Sequence, residues 1–224
     1  MDEAFGQRVA RVGSLADPVR RALYRFVAEQ PGAVSRDQAA SGVDVPRHTA
    51  KFHLERLVAE GLLVTEFRRL TGRTGPGAGR PAKLYRRSRR ELSVSVPSRR
   101  YDLAGQVLAD AVERTLEGTS MADALTAAAE DAAEQVAGQL RGGHSLADAL
   151  AALGYEPRAA EGGLALANCP FDRLAADHRG LVCGLNHAFV GSLARRLAGP
   201  DDTAVAIAPG PGCCVRVDGA ATRP

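Results

Sequence analysis

The sequence of 224 residues predicts a mainly α-helical protein with small β elements: an N-terminal winged helix-turn-helix and an α+β C-terminal domain that carries cysteines. Three observations support this fold class. Helix start and stop signals alternate over the first 60 residues, two β-rich segments flank a Gly- and Pro-rich stretch at 71–81, and all four cysteines follow residue 168. The predicted order is therefore helices, a ribbon, further helices and a cysteine region.

The charge divides the chain near residue 100. Residues 1–100 hold 20 Lys and Arg against 10 Asp and Glu, whereas residues 101–224 hold 9 against 16. All cations except Lys51 and Lys83 are arginines, the side chain best suited to phosphate and guanine. The basic half predicts a polyanionic partner, which the acidic half would repel.

Three helices are predicted in the basic half. Asp17 and Pro18 provide a helix N-terminus, and Ser35-x-x-Gln38 has the form of a capping box. After a turn, Pro46 begins a third helix with an apolar stripe, and Gly61 ends it. This is the helix order of a helix-turn-helix.

Two strands, Leu62–Phe67 and Lys83–Tyr85, predict a ribbon after the third helix. The third helix can enter a major groove while the ribbon reaches the flanking backbone. From Phe67 to Arg90 there are nine basic residues and no acidic one; an ordinary solvated loop is the alternative interpretation. An aromatic content of 4% makes RNA binding by base stacking a poorer fit. The candidate DNA contacts are Arg36, Arg47, His48, Thr49, Lys51, Arg68, Arg73, Arg80, Lys83 and Arg86.

Three stretches carry a family resemblance: Leu15-Ala-Asp-Pro-Val-Arg-Arg-Ala-Leu-Tyr24, the segment Thr49–Leu63, and Gly79-Arg-Pro-Ala-Lys-Leu-Tyr85. Together they resemble the ArsR-type winged-helix repressors, particularly the SufR-like branch, over roughly residues 10–90. The resemblance implies a homodimeric regulator, a repressor, that binds a palindromic operator in double-stranded DNA.

We expect three regions: a DNA-binding domain at 1–97, a connector helix for dimerisation at 98–118, and a sensor domain at 119–224. The stripe of Leu103, Val107, Leu108, Ala111, Val112 and Leu116 fits either core or dimer packing, and we favour the dimer because two copies read a palindrome. Leu92–Val96 predicts a short strand, Met121–Leu140 an Ala-rich helix, and Ser145 the cap of another helix.

The cysteines occupy three different local contexts. Cys169 lies at a turn, Cys183 near a helix start, and Cys213 and Cys214 at the head of a strand. Thiolates converging from such places can hold a soft metal centre. The alternative is that they are small buried apolar side chains. Neighbours on a strand point to opposite faces, so Cys213 and Cys214 are not equivalent, and either one could be a ligand.

The SufR-like resemblance extends to this region through Asn168-Cys-Pro170, and it implies an iron–sulfur cluster, 4Fe-4S or 2Fe-2S, on Cys169, Cys183 and either Cys213 or Cys214. The fourth-ligand candidates are the remaining vicinal thiol, His178, His187, Asp172 and Asp177, with His178 the first choice. Structural zinc is the main chemical rival. A regulator with a small-molecule effector or a disulfide switch also stays open, as does a thiol enzyme with His178 as base.

The sequence predicts a cytoplasmic protein that is not an enzyme and has no membrane partner. Residues 1–13 lack the apolar core of a signal peptide, and the longest apolar stretch is interrupted by four acidic residues.

Overall fold

The computed structural model describes residues 3–69, 81–140, 144–198, 204–207 and 212–219. The chain divides into two compact units, Met1–Val94 and Ser95–Pro224, here called the first and the second unit. The fold is mainly helical with small antiparallel sheets, which confirms the predicted fold class. No helix in the described ranges is long and apolar enough to cross a bilayer.

The first unit contains a helix-turn-helix and a three-stranded antiparallel sheet in the order β1-β3-β2. Its elements are α1 (Glu3–Gly13), a 3-10 turn (Ser14–Ala16), α2 (Pro18–Glu29), β1 (Val34–Ser35), α3 (Arg36–Val43), α4 (Arg47–Ala59), β2 (Leu63–Arg68) and β3 (Ala82–Arg87).

Local capping fixes the helix starts of this unit as the sequence predicts. The carboxylate of Asp17 accepts a hydrogen bond from the Arg20 amide at 2.8 Å and Pro18 takes the first helical position. Ser35 and Gln38 form the reciprocal capping box. The turn before α4 places Asp44 at φ 53°, a left-handed conformation that Asp tolerates better than most residues. These short-range contacts explain why the helix-turn-helix could be predicted from sequence.

Strands β2 and β3 form the predicted ribbon, paired antiparallel from Leu63 opposite Arg87 to Arg68 opposite Ala82. Residues 70–80 between them lie outside the described residues. The sequence did not predict α1 or β1, and β1 pairs with β3 through Val34 and Tyr85.

The core of the first unit is formed where α2, α3, α4 and the sheet meet. Leu23, Leu54 and Leu57 are fully buried. Gly42 faces the Phe26 ring so closely that an added Cβ would lie 2.0 Å from it, so α2 and α3 approach each other at a position without a side chain.

The second unit combines a helical layer with a four-stranded antiparallel sheet in the order β4-β5-β7-β6. Its elements are α5 (Tyr101–Leu116), α6 (Met121–Gln139), α7 (Leu146–Ala152), β4 (Pro157–Ala160), β5 (Gly163–Leu166), α8 (Asp172–Asp177), α9 (Arg179–Ala198), β6 (Ala204–Ile207) and β7 (Val215–Asp218).

Helix α6 lies between α5 and α9, and α9 also packs against β6 and β7. The face of α6 is built from buried alanines, Ala124, Ala128, Ala129 and Ala133, which allow close helix approach. On the sheet side, the Cβ of a larger residue at Gly163 would lie 2.0 Å from the carbonyl oxygen of Val217. Small residues thus allow α6 to approach its neighbouring helices and β5 to approach β7.

The predicted apolar stripe of α5 separates into two rows. Leu103, Val107 and Ala111 are buried in the second unit, while Val112 is 47% and Leu116 83% exposed. Leu108 lies between these rows and is half-buried.

Two sequence expectations outside the helices had different outcomes. Residues 92–96 form no strand, so that prediction was wrong, since no described strand pairs with them. The strand-like residues 164–167 predict β5 within one residue at each end, whereas its hairpin partner β4 is not predicted from the sequence.

Candidate nucleic-acid interface and thiol site

The outer face of α4 presents polar and aromatic side chains. Arg47, His48 and Lys51 are exposed and Thr49 is half-buried. Phe52 is also 66% exposed although it is apolar. A helix with such a face can contact phosphates and base edges, the thymine methyl included.

His53, one position further along α4, is buried, with 9% of its surface exposed. Its Nδ1 accepts a hydrogen bond from Arg20 at 3.4 Å, and its ring packs edge-on against Phe52 with centroids 5.2 Å apart. His53 therefore links α2 to α4 on the buried side of α4, opposite the exposed face.

Some predicted DNA contacts are held by carboxylates within the first unit. Lys83 places Nζ 2.6 and 2.7 Å from the two oxygens of Glu55, and Arg86 lies 3.6 Å from Glu66. Asp37 faces both Arg36 at 3.0 Å and Arg47 at 3.5 Å. These four cations stay predicted contacts, but each would have to share its charge with an existing carboxylate.

Glu55 is the centre of a small network between α4 and β3. The Lys83 ammonium, together with the Tyr85 hydroxyl that donates at 2.7 Å, holds the pKa of Glu55 below its usual 4.5. Burial and the carboxylate raise the pKa of Tyr85. Lys83 thereby fixes the ribbon to α4.

A second group of cations has no ion-pair partner among the described residues: Lys51, Arg68, Arg69, Arg87, Arg89 and Arg90. Arg68, Arg69, Arg87, Arg89 and Arg90 are exposed on the ribbon or directly beside it. Arg73 and Arg80, both predicted contacts, lie outside the described residues. The exposed cations form a positive surface suited to phosphates.

The four cysteines of the second unit come together, and the name thiol site is used for Cys169, Cys183, Cys213 and Cys214. All four are free and buried, between 6% and 7% exposed. Cys169 follows β5 in a turn, Cys183 lies in the second turn of α9, and the vicinal pair immediately precedes β7. The Cys213 amide donates to the Leu166 carbonyl at 2.9 Å, which continues the β5–β7 pairing up to the thiols.

Two thiol–thiol contacts organise the thiol site. Cys213 donates to the sulfur of Cys169, and this hydrogen bond, with further help from the Phe171 amide and Arg99, lowers the pKa of Cys169 to about 7. The same contact and burial raise the pKa of Cys213. Burial and a hydrogen bond to Cys183 raise the pKa of Cys214 to about 12. Of Cys169, Cys213 and Cys214, Cys169 is thus the thiol that carries negative charge most readily.

Cys213 and Cys214 face different surroundings. The Sγ of Cys213 accepts a hydrogen bond at 3.1 Å from Nδ2 of Asn186, whose Oδ1 accepts from the Tyr155 hydroxyl at 2.6 Å. Both Asn186 and Tyr155 are buried. Cys214 instead lines a cavity of about 200 Å³ together with Cys169 and Cys183. The two neighbours therefore have different surroundings, which the sequence left open.

The cavity has a charged rim formed by Asp172 and Arg179. His178, the predicted fourth ligand, is exposed between α8 and α9 and is not among the described residues that line the cavity. His187 is occupied elsewhere, because its Nε2 lies 2.8 Å from the Val205 carbonyl oxygen. Asp177 is exposed as well.

Within the part of the chain that the structure describes, no three His, Cys, Asp or Glu side chains are arranged to hold a metal ion. The cysteines instead contact one another in pairs, and three of them line one cavity.

Sequence reasoning missed four residues that shape the thiol site: Arg99, Tyr155, Asn186 and Arg179. Asn186 follows Cys183 by three positions, so helical spacing offered a weak signal for it. Arg99 and Tyr155 gave none, since both come from elements remote in sequence.

Residues 15–66 match a family model described as a helix-turn-helix domain. The match spans α2 to β2 and agrees with the ArsR-type part of the resemblance; it does not reach the cysteines. No curated protein and no solved structure matches the chain significantly. The chain thus contains a DNA-binding helix-turn-helix domain of the kind found in transcriptional regulators, and the SufR-like resemblance stays a prediction.

Proposed function

We propose that this protein is a homodimeric transcriptional repressor whose operator binding is controlled by an iron–sulfur cluster on Cys169, Cys183 and Cys214. The helix-turn-helix domain at residues 15–66 supports the DNA-binding part. The single observation that carries the sensor part is the cavity of about 200 Å³ that these three thiols line.

DNA recognition rests on the exposed face of α4 and on the ribbon. Arg47, His48 and Lys51 supply groups for base edges and phosphates, while Arg68 and Arg69 extend the positive surface along the ribbon. A repressor of this type acts by occupying its operator, so affinity for DNA is the quantity under control.

The donor type of the thiol site, the thiol, suits a soft metal centre, and because no three of these described side chains are arranged to hold one ion, the proposed group contains several metal atoms. Three thiols come from a turn, a helix and a strand end, so ordering any one of them affects a different element. When bound, a thiolate-held cluster supplies redox states and a charge that change on oxidation. Asn186 binds Cys213 through a hydrogen bond and so keeps it apart from the three proposed ligands. Arg179 lies at the rim of the cavity, where its positive charge would offset the negative charge of three thiolates.

The size of the cavity favours a cluster over zinc. Zinc gathers four ligands around one centre at about 2.0 to 2.3 Å. The three thiols instead line a cavity of about 200 Å³, which is more space than one ion with ligands at that distance occupies. Ligands that lie around a space of this size suit a cluster, which contains several metal atoms, better than a single zinc ion.

Homodimerisation is assigned to the exposed row of α5. Val112 and Leu116 are apolar and exposed, with Met121 at 46% just beyond the helix. A second copy would cover them, and a two-fold pair of α4 helices would match the symmetry of a palindrome.

The test is anaerobic purification followed by reconstitution of the full chain with iron and sulfide. We expect a visible charge-transfer band, with iron and acid-labile sulfide in the protein. Cys169→Ser, Cys183→Ser and Cys214→Ser should each lose the band. Cys213→Ser is the matched control and should retain it, because Cys213 faces Asn186 rather than the cavity. Purified protein that contains zinc and forms no band would overturn the cluster.

A disulfide switch is the second candidate, favoured by the hydrogen bond between the Cys169 and Cys213 thiols. Its chemistry would join the two sulfurs with loss of two protons, while two electrons pass to an oxidant such as a low-molecular-weight disulfide, which is reduced to two thiols. Under this alternative Cys213→Ser abolishes regulation and metal content is irrelevant, so the same variant separates the two functions.

A further inference from the structure

We propose that Arg99 and Asn168 form a latch that holds the turn carrying Cys169 against the start of α5. Through this latch a chemical change at the thiol site would alter the position of α5 and of its exposed apolar row. The inference deepens the proposed function and rests on it, since the latch needs a signal at Cys169 to transmit.

Arg99 is the central residue of the latch, and its side chain is only 18% exposed. One guanidinium nitrogen donates to Oδ1 of Asn168 at 2.6 Å and to the Cys169 carbonyl at 3.3 Å. The other terminal nitrogen lies 3.6 Å from Asp172. One planar cation thus binds three separate groups of the same turn, an arrangement that suits the rigid fork of Arg donors.

Asn168 closes the latch from the other side. Its Nδ2 donates to the Ser98 carbonyl at 3.0 Å and to the Gly154 carbonyl at 2.6 Å. The side chain is buried, so every one of these polar contacts replaces a hydrogen bond to water. Ser98 also lies against Gly154, where an added Cβ would meet the Ser98 hydroxyl at 2.6 Å.

Backbone hydrogen bonds continue the latch into α5. The Arg100 amide donates to the Pro170 carbonyl at 3.0 Å, and Arg100 is followed directly by Tyr101, the first residue of α5. The Tyr101 hydroxyl accepts from the Arg173 amide at 3.4 Å. Residues 98–101 are therefore bound to residues 168–173 along their whole length.

The latch can transmit a change at the thiol site because Arg99 contacts Cys169 and Asp172, which both line the cavity. Cys169 directs its sulfur to the cavity and its carbonyl oxygen to Arg99, and Asp172 likewise belongs both to the rim and to the latch. A ligand or bond formed at the sulfur that turns the Cys169 backbone must break or re-form these contacts. Arg99 thus acts as a positioning residue that links sensor and helix.

The coupling is tested with full-length protein and a duplex selected from a random-sequence library by the wild-type chain. The measured quantity is the ratio of operator affinities with and without reconstitution by iron and sulfide. Coupling between two sites is typically about 5- to 150-fold, and we expect the wild type in this range. Arg99→Ala should reduce the ratio to within about twofold of unity.

Arg100→Ala is the matched control. It removes an adjacent guanidinium that pairs with Asp102 at 3.1 Å, but it keeps the backbone bond to Pro170, so the ratio should remain that of the wild type. Arg99→Lys retains the charge without the fork of donors, and we expect an intermediate ratio. If reconstitution does not change the operator affinity of the wild type, the proposed function is wrong. If the wild type and the Arg99→Ala variant show the same change in affinity, the latch is wrong.

A readout that needs no metal is amide hydrogen exchange in the apo protein. Loss of Arg99 should accelerate exchange of the 168–173 peptide by about tenfold, the equivalent of removing one hydrogen bond to a charged group. Arg100→Ala should leave that peptide unchanged. Unaltered exchange at 168–173 in the Arg99→Ala variant would contradict the latch even if that variant no longer binds iron.

Discussion

The two units of this chain differ in how many of their arginines pair with a carboxylate: most of the described arginines do so in the second unit and most do not in the first. In the second unit Arg99, Arg100, Arg114, Arg195, Arg196 and Arg216 each pair with a carboxylate. In the first unit Arg68, Arg69, Arg87, Arg89 and Arg90 have no such partner among the described residues. The paired cations of the second unit are neutralised within it, and the unpaired cations of the first are left for an external anion.

This difference shows how a chain with a net charge of only +3 can bind DNA. A polyanion is attracted by the local field of unpaired charges, and cations already beside a carboxylate contribute little to that field. The acidic excess of residues 101–224 neutralises the arginines there and keeps the positive potential on the helix-turn-helix side.

The two units also differ in the number of polar groups that they bury. The first unit buries only Ser14 and His53 among its described polar residues, and its core is plain apolar packing. The second unit buries Asn168, Asn186 and Ser192 as well as four thiols. Buried polar groups need specific partners, so the second unit has a hydrogen-bond network that a chemical change can disturb.

The largest expected effect comes from the first unit's core. Leu54→Ala removes a fully buried side chain and should lower the free energy of unfolding by about 2 to 5 kcal/mol, with loss of DNA binding. Phe52→Ala, two positions away on the same helix but 66% exposed, is the control and should change stability by less than about 0.5 kcal/mol. Urea denaturation measures both. Equal decreases in the two variants would contradict the assignment of the core.

The next effect tests the two kinds of arginine directly. Arg68→Ala with Arg69→Ala should reduce the slope of log affinity against log salt by about 0.9 for each phosphate that is no longer neutralised. The doublet Arg195→Ala with Arg196→Ala removes as many cations, but these pair at 2.9 Å with Glu130 and Glu134. That variant should leave the slope unchanged. Fluorescence anisotropy with a random-sequence duplex gives both slopes, and a similar decrease in both would remove the distinction between the units.

The smallest effect concerns pH. Because Lys83 and Tyr85 hold the pKa of Glu55 below 4.5 in the folded protein, its carboxylate stabilises the fold above that pH. This contribution is lost as pH falls through the lowered pKa. Glu55→Gln should therefore cost less than about 1 kcal/mol at neutral pH, since the pair is partly exposed, and nothing in strong acid.

Denaturation at several pH values checks this prediction. Glu66→Gln is the matched control, because its partner Arg86 is 3.6 Å away rather than 2.6 Å, and the expected decrease in stability is smaller. A cost of Glu55→Gln that is the same at every pH would show that the carboxylate charge has no part in the network.

Much of the first unit could be predicted because its signals are local. Asp17, Pro18 and the Ser35–Gln38 box act within one helical turn, so the sequence contains both partners of each contact. Strand β1 was missed for the opposite reason, since it has two residues and its pairing with β3 depends on a partner about fifty positions away. Helix α1 was missed as well, although it lies at the start of the chain.

The second unit was predicted in its long helices and less well elsewhere. Helix α5 runs from Tyr101 to Leu116 as its periodicity indicates, but periodicity alone did not divide its stripe into buried and exposed rows. That division depends on where α6 packs. Strand β4 lacks an apolar pattern, and among the described strands it pairs with β5 alone.

The division of charge, the helix-turn-helix and the gathering of cysteines in the last quarter of the chain can all be read from the order of the amino acids. These are properties of composition and of contacts within a few residues. In contrast, tertiary packing is what places Cys213 against Asn186 and Cys214 at the cavity, and what brings Arg99 to the turn of Cys169. Such contacts join residues 27 to 70 positions apart, and their geometry exists only once the layers have packed.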